Sequence, residues 1–298
     1  MSSVSENIFR ISAPAHSPVF VADESLNTGT AGTCDLLLLL DRQTVSIALK
    51  ERKANRILAV ESFHSANLFE DFASGSGKLS QQSRILRTYP FQKVTVAVAS
   101  NQFTLIPEAL YREEDASKYY AFNFTPSPAQ KILSQGIRTF QARVVYSIPN
   151  EVNEYVSSAF RDPLLLPHIA PLLESARQWA RGNERVSILF NVRNSSLDIV
   201  IAENSKLILA NSFNWREPED ALYYLLFTCE QLGLDPQRVP VWVSGNAGSG
   251  TAINKLLEKY IRSTEICALP PVNGYSHSVA LLPAQLFYSL FCLPLCES

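Results

Sequence analysis

Leu36 to Phe63 reads LLLLLDRQTVSIALKERKANRILAVESF, and Val186 to Phe213 reads VSILFNVRNSSLDIVIAENSKLILANSF. At a constant offset of 150 the two stretches align over 28 residues without a gap. Each reads as strand, tight polar turn, strand, polar turn, strand. The turns fall at Arg42-Gln43 against Val192-Arg193, and at Lys53 to Asn55 against Glu203 to Ser205. Both third strands close on Ser-Phe, Ser62-Phe63 and Ser212-Phe213. Identity is low, so the pattern rather than the letters carries the internal duplication.

The segments after the two meanders also correspond. Pro218 to Leu232 has helical spacing, with Ala221, Leu222, Leu225, Leu226, Cys229 and Leu232 on one side and Gly233 ending it. Val239 to Val243 is a short apolar strand, Thr251 to Ile261 a second helix, and Glu265 to Leu269 a fifth strand. In the first half, Asn67 to Tyr89 carries helical pieces interrupted at Ser74 to Gly77, and the strand Val94 to Ala99 comes next. KVTVAVASN from Lys93 matches RVPVWVSGN from Arg238, through to Asn101 and Asn246. Between the halves, Tyr119 to Phe124 and Arg138 to Ile148 read as strands, and Glu151 to Phe160 and His168 to Ala180 as helices. The expected division is 1–116, a small inserted α+β subdomain over 117–184, and 185–298 ending in a helix.

Three antiparallel strands followed by alternating helix and parallel strand is the ribonuclease H-like order, and two copies in one chain is the plan of the actin-like ATPases. With the segment Phe103-Thr104-Leu105-Ile106-Pro107, the repeat makes the chain resemble a bacterial (Bacteroidetes-type) family of unknown function with the actin-like ATPase fold. It is distantly similar to the cell-division actin and the pilus-assembly protein of that superfamily. The resemblance implies an α/β fold of two ribonuclease H-like halves. It places the inserted segment where those relatives carry a subdomain used for protein contacts, although a plain connector with its own core explains the segment as well.

The resemblance also implies phosphate-holding loops at the two hairpin turns, where glycines let backbone N–H groups approach the anion. Against the pattern D-x-G-[ST]-x-[ST], the first turn offers Asp41, Thr44 and Ser46, but Gln43 replaces the glycine. The second turn offers Asn191, Ser195 and Ser196, with Asn191 in place of the acid and Arg193 or Asn194 in place of the glycine. The adenosine loop corresponds to Ser244-Gly245-Asn246-Ala247-Gly248 and continues to Gly250. A triphosphate needs several backbone donors and a metal, and most of them are gone here. We therefore expect a vestigial nucleotide site at Asp41, Thr44, Ser46, Asn191, Ser195, Ser196, Gly245, Gly248 and Gly250, no cofactor, and a non-catalytic protein-interaction module. The alternative is a working ATPase or kinase-like enzyme that binds Mg-ATP in the interlobe cleft and relies on Asp41.

Other chemistries find less support. A nuclease of the ribonuclease H kind needs several converging carboxylates, and the strand end Ala99-Ser100 supplies none. Gly248-Ser249-Gly250-Thr251-Ala252-Ile253 resembles a dinucleotide fingerprint, but its third glycine is Ile253; a helix capped by Ser249 or Thr251 explains it equally. The histidines His16, His64, His168 and His277 give neither triad spacing nor metal-ligand spacing with Cys34, Cys229, Cys267, Cys292 and Cys296. The odd, dispersed cysteines read as reduced and buried.

Net charge is −2 at pH 7, and the cluster Lys50, Arg52, Lys53 and Arg56 falls on a hairpin turn, so no nucleic-acid partner is expected. Met1 to Arg10 is polar and suggests no secretory signal. Val279 to Cys296 is broken by Pro283, Gln285, Ser289 and Pro294, which favours a buried terminal helix with Leu286, Phe287, Leu290 and Phe291 on one face over a membrane span. A cytoplasmic protein with an unidentified protein partner is the expectation; a peripheral secretion platform is the weaker analogy. Oligomeric state is not encoded in any motif.

Overall fold

The computed structural model describes residues 18–75, 79–180, 186–203 and 206–297. The first strands are β1 (Val19–Ala22), β2 (Cys34–Leu40), β3 (Thr44–Glu51), β4 (Arg56–His64) and β5 (Val94–Val98). Next come β6 (Phe103–Pro107), β7 (Gln130–Ile137), β8 (Ala142–Pro149) and β9 (Leu164–Pro167). The last are β10 (Val186–Val192), β11 (Ser196–Glu203), β12 (Lys206–Asn214), β13 (Val241–Gly245), β14 (Thr264–Ile266) and β15 (Gly274–Tyr275).

One sheet has the order β1-β4-β3-β2-β5-β9, with β15 also on β4. The second has the order β12-β11-β10-β13-β14. The five strands from β4 to β9 thus repeat the order of the second sheet. In both, two antiparallel hairpin ladders are followed by two parallel ones. Strands β6, β8 and β7 form a separate small sheet.

The register differs from the expected alignment. Leu40 pairs with Val45 in the first hairpin and Val192 with Leu197 in the second, so equivalent positions there lie 152 apart. The third strands keep the offset of 150, because Glu203 and Lys206 pair across a loop two residues shorter than the one between Glu51 and Arg56. Asn204 and Ser205, assigned to that shorter turn, lie outside the described residues. The counterpart of Asp41 is therefore Arg193, not Asn191. Backbone bonds agree: Asp41 N–H donates to Thr44 O, and Arg193 N–H donates to Ser196 O. A slip of two keeps every side chain on its own face, so alternation alone could not detect it.

Strands β2 and β10 are apolar almost throughout because both faces of their sheets are covered. In the first sheet, Leu36, Leu38, Leu40 and Ile47 meet the helices Leu68–Ala73, Asn150–Ala159 and Ile169–Glu174. The opposite face, with Leu37, Ala48, Val60 and Ala97, lies under Val279, Leu290 and Phe291. In the second sheet, Ile188, Phe190 and Val243 pack on the helices Pro218–Gln231 and Ala252–Tyr260. Leu189, Val200 and Ala202 join the core of the first sheet. Each such fully buried Leu or Val contributes about 1.5–3 kcal/mol relative to exposure, which makes the two-sided cover the main source of stability.

Three sequence expectations need correction. Tyr119 to Phe124 is not a strand: Ala116–Asn123 is helical. Its tyrosines and phenylalanine favour strands, but Tyr120 alone is fully buried, and burial of one helical face decides the local structure. The single strand expected over Arg138 to Ile148 is the end of a hairpin, β7 and β8, joined by a turn in which Gln141 has φ 49°. The apolar C-terminal stretch is not one helix; it breaks into the short pieces His277–Ala280, Ala284–Phe287, Tyr288–Cys292 and Leu293–Cys296. It covers the first sheet and reaches the second half where Gln285 meets Gly248, and β9, within the expected insertion, pairs with β5. Among the described residues no helix is long and apolar enough to cross a membrane.

Candidate functional site: the interlobe cleft

The turns after β2 and β10 meet at the carboxyl ends of the parallel strands, the customary place for a ligand in an open α/β sheet. Here they meet each other. Arg193 lays a fork on Asp198, with Nε 3.2 Å from Oδ2 and the terminal nitrogen Nη2 3.3 Å from Oδ1. Its Nη1 reaches Asp41 Oδ2 across the cleft at 3.4 Å, and Nη2 also donates to Asn101 Oδ1. One residue on, Asn194 Nδ2 donates to Thr44 Oγ1 at 2.7 Å, while its Oδ1 accepts from Asn246 Nδ2 at 2.6 Å.

Asp198 is completely buried and fully subscribed. Besides Arg193, it accepts from His168 Nε2 at 2.9 Å, Asn191 Nδ2 at 2.8 Å and Ser212 Oγ. Ser100 N–H donates to His168 Nδ1 at 3.3 Å, so that nitrogen carries no proton and Nε2–H is the donor to Asp198. Asn191 Oδ1 in turn accepts from Ser244 Oγ at 2.9 Å. Burial alone would push the Asp198 carboxyl up, but the Arg193 guanidinium and the His168 and Ser212 bonds outweigh it and hold it far below the usual carboxylate range. Burial would likewise lower the pKa of Arg193; Asp198 and Asp41 reverse this and raise it. The bridge holds two carboxylates against one guanidinium, and that balance disfavours a further anion.

The cavity beside this bridge is lined by five of the expected site residues, Asp41, Thr44, Ser46, Asn191 and Gly245. Its volume is about 100 Å³, against roughly 300–1,000 Å³ for small-molecule sites. Ser195 and Ser196 instead line a separate cavity on the other side of Arg193. Gly245 has φ 75°, and a methyl group there would run into the Val192 carbonyl, so this glycine serves strand contact. Gly248 lies against the side chain of Gln285 from the C-terminal segment, while Gly250 is exposed and lines neither of these two cavities. Thr251 caps the helix Ala252–Tyr260, accepting from Asn254 N at 3.2 Å.

The residues present do not fit a magnesium–nucleotide complex. Backbone N–H groups that would face a phosphate are engaged: that of Arg42 with Asp41 Oδ1 at 2.6 Å, and those of Asp41 and Arg193 within their own turns. Arg193 stands where the second loop would hold its anion, and Gln285 covers the base-side glycine.

Sequence reasoning missed Asp198 and the part played by His168. Asp198 pairs with Ser212 across β11 and β12, as Ser46 pairs with Ser62 across β3 and β4. At a register of 152 Asp198 stands where the first half has Ser46, a carboxylate in place of a hydroxyl.

Two solved structures share this architecture. A Bacteroides thetaiotaomicron protein with actin-like ATPase fold and unknown function superposes with a TM-score of 0.71 at 20% identity, over 84% of this chain and 95% of that one. The PilM–PilN type IV pilus biogenesis complex contains a chain that superposes with a TM-score of 0.58 at 14% identity, over 88% of this chain and 97% of that one. These likenesses establish the actin-like ATPase fold. No curated protein matches the chain. The family model for proteins of unknown function DUF3822 matches residues 23–264, and the chain belongs to that family.

Proposed function

We propose that this chain is a pseudo-ATPase: an actin-fold module in which a side-chain bridge replaces the nucleotide as the link between the halves, and which acts by binding another protein. The observation that carries the reading is Arg193, ion-paired at once to Asp198 of its own half and Asp41 of the other. In a nucleotide-driven relative of this fold, the phosphates would join the two turns. Here side chains join the turns directly, with the Asn194 bonds to Thr44 and Asn246 beside the Arg193 pair. The two halves are read as copies of one ancestral unit, because strand order and ladder pattern repeat while the turn chemistry diverges.

A protein partner fits this reading because a locked actin fold without chemistry retains only its surfaces. One fold relative was solved as PilM together with PilN, which lends the idea an analogy of fold. A cytoplasmic setting is proposed on the cysteines, all five of which are free thiols, four of them buried. The working-ATPase alternative gains nothing from the cleft geometry.

The test is turnover. Purified full-length chain incubated with Mg-ATP should release phosphate no faster than the Asp41→Ala variant does. Turnover that disappears on replacing Asp41 would overturn the proposal.

A further inference from the structure

Beyond the bridge lies a second cavity of about 610 Å³, inside the range of roughly 300–1,000 Å³ usual for small-molecule sites. It opens between the first half, the inserted sheet and the turn after β12. Its floor is the far side of the Arg193 bridge.

The polarity of its wall is set by hydrogen-bond direction. Arg193 has only donors, so Asn101 must offer it Oδ1. Asn101 Nδ2 then donates to Asn214 Oδ1 at 2.6 Å, and the Asn214 amide hydrogens are left facing outward with no partner among the described residues. On the opposite wall, Gln102 Oε1 is met by Tyr120 Oη at 2.9 Å, Gln130 Nε2 at 3.1 Å and Ser147 Oγ at 3.3 Å. That carbonyl is saturated, and the Gln102 Nε2 hydrogens remain unused among the described residues.

Charge points the same way. Arg42, Arg193 and Arg216 line the cavity, and Asp41 is its one acid, already held by Arg193 and by the Arg42 N–H. Arg42 and Arg216 are exposed and make no ion pair among the described residues; Arg42 rests over the Phe69 ring at 5.9 Å. Arg193 is already outweighed by Asp41 and Asp198, so the positive charge left at this cavity is that of Arg42 and Arg216. Arg216 is near enough to Asp220 to hold its carboxyl below the usual range, through its backbone N–H first and then its charge. Trp215 supplies a flat apolar wall whose orientation is fixed by Nε1 bonds to Arg193 O and Ser196 O at 3.2 and 3.1 Å.

We infer that this cavity binds a small phosphorylated polyol, of the sugar-phosphate class. The two unpaired arginines take the phosphate as paired guanidinium donors. Asn214 and Gln102 donate to hydroxyl oxygens, the exposed Ser195 hydroxyl takes part beside them, and the Trp215 ring covers the carbon face. The site adjoins the interlobe cleft, sharing Asp41 and Arg193 with it, but does not depend on whether the chain hydrolyses anything.

Calorimetric titration of the full chain with hexose 6-phosphate tests it, with inorganic phosphate and the neutral hexose as separate arms. The hexose phosphate should bind at least about tenfold more tightly than either arm. The Arg42→Ala/Arg216→Ala double variant, whose side chains are exposed and unpaired, should fold with unchanged Tm and lose at least about tenfold in affinity. Lys259→Ala, which removes an exposed charge on the helix Ala252–Tyr260, should bind as the native chain does. Absence of binding up to ~10 mM, equal affinity for inorganic phosphate, or unaltered binding by the double variant would each overturn the assignment.

Discussion

Asp41 and Arg193 open equivalent turns: each donates its backbone N–H to the residue three places on, and each succeeds an apolar strand buried on both sides. One is an acid and the other a base. In a cleft built for phosphate, two turns of the same kind would both face the anion; turns of opposite charge face each other. The halves also differ beneath the turns. Ser46 and Ser62 form a neutral pair at 3.1 Å in the first half, where the second half has Asp198 and Ser212. The second half therefore carries a buried carboxylate that requires a cation, and Arg193 is that cation. Its ion pair to the other half is the weaker of the two: the Asp41 contact is single and longer than either arm of the fork on Asp198, and the bond to Asn101 adds a neutral partner there.

That asymmetry orders the effects of substitution. Arg193→Met removes the partner of a fully buried carboxylate and should cost about 3–5 kcal/mol in denaturant unfolding. Asp198→Asn leaves Arg193 with Asp41 as its sole ion partner and should cost about 2–3 kcal/mol. Because folding lowers the Asp198 pKa, its stabilisation is complete above the unfolded-state value of about 3.9 and drains away as pH falls below it. Thermal melts of the native chain should thus weaken steeply below about pH 4, and those of Asp198→Asn less so. Asn194→Ala, which deletes one bond across the cleft to Thr44 and one within its own half from Asn246, should cost about 1 kcal/mol. Asp41→Asn should cost less than about 1 kcal/mol, since the pair it breaks is partly solvated. Should Asp41→Asn prove as damaging as Arg193→Met, the ranking of the two halves is wrong.

The fold was legible because β2, β3, β10 and β11 bury both faces and announce themselves as apolar runs between polar turns. The candidate site was half legible. Asp41, Thr44 and Ser46 stand where the turn pattern puts them, but the second turn was misread by two residues, since period-two alternation is blind to a shift of two. That slip nominated Asn191 instead of Arg193 and passed over Asp198 inside an apolar strand. His168 was invisible for another reason: it reaches Asp198 from the end of β9, and no spacing in sequence encodes a contact between separate sheets. The plug at Gly248 was hidden likewise, because Gln285 arrives from a segment that reads only as apolar and helical.

The most direct test is calorimetric titration of the native chain with Mg-ATP, alongside Arg193→Gly. The bridge predicts no saturable heat for the native chain up to ~1 mM, and at most weak binding once the guanidinium is gone. Micromolar binding by the native protein, abolished by Asp41→Ala, would contradict it.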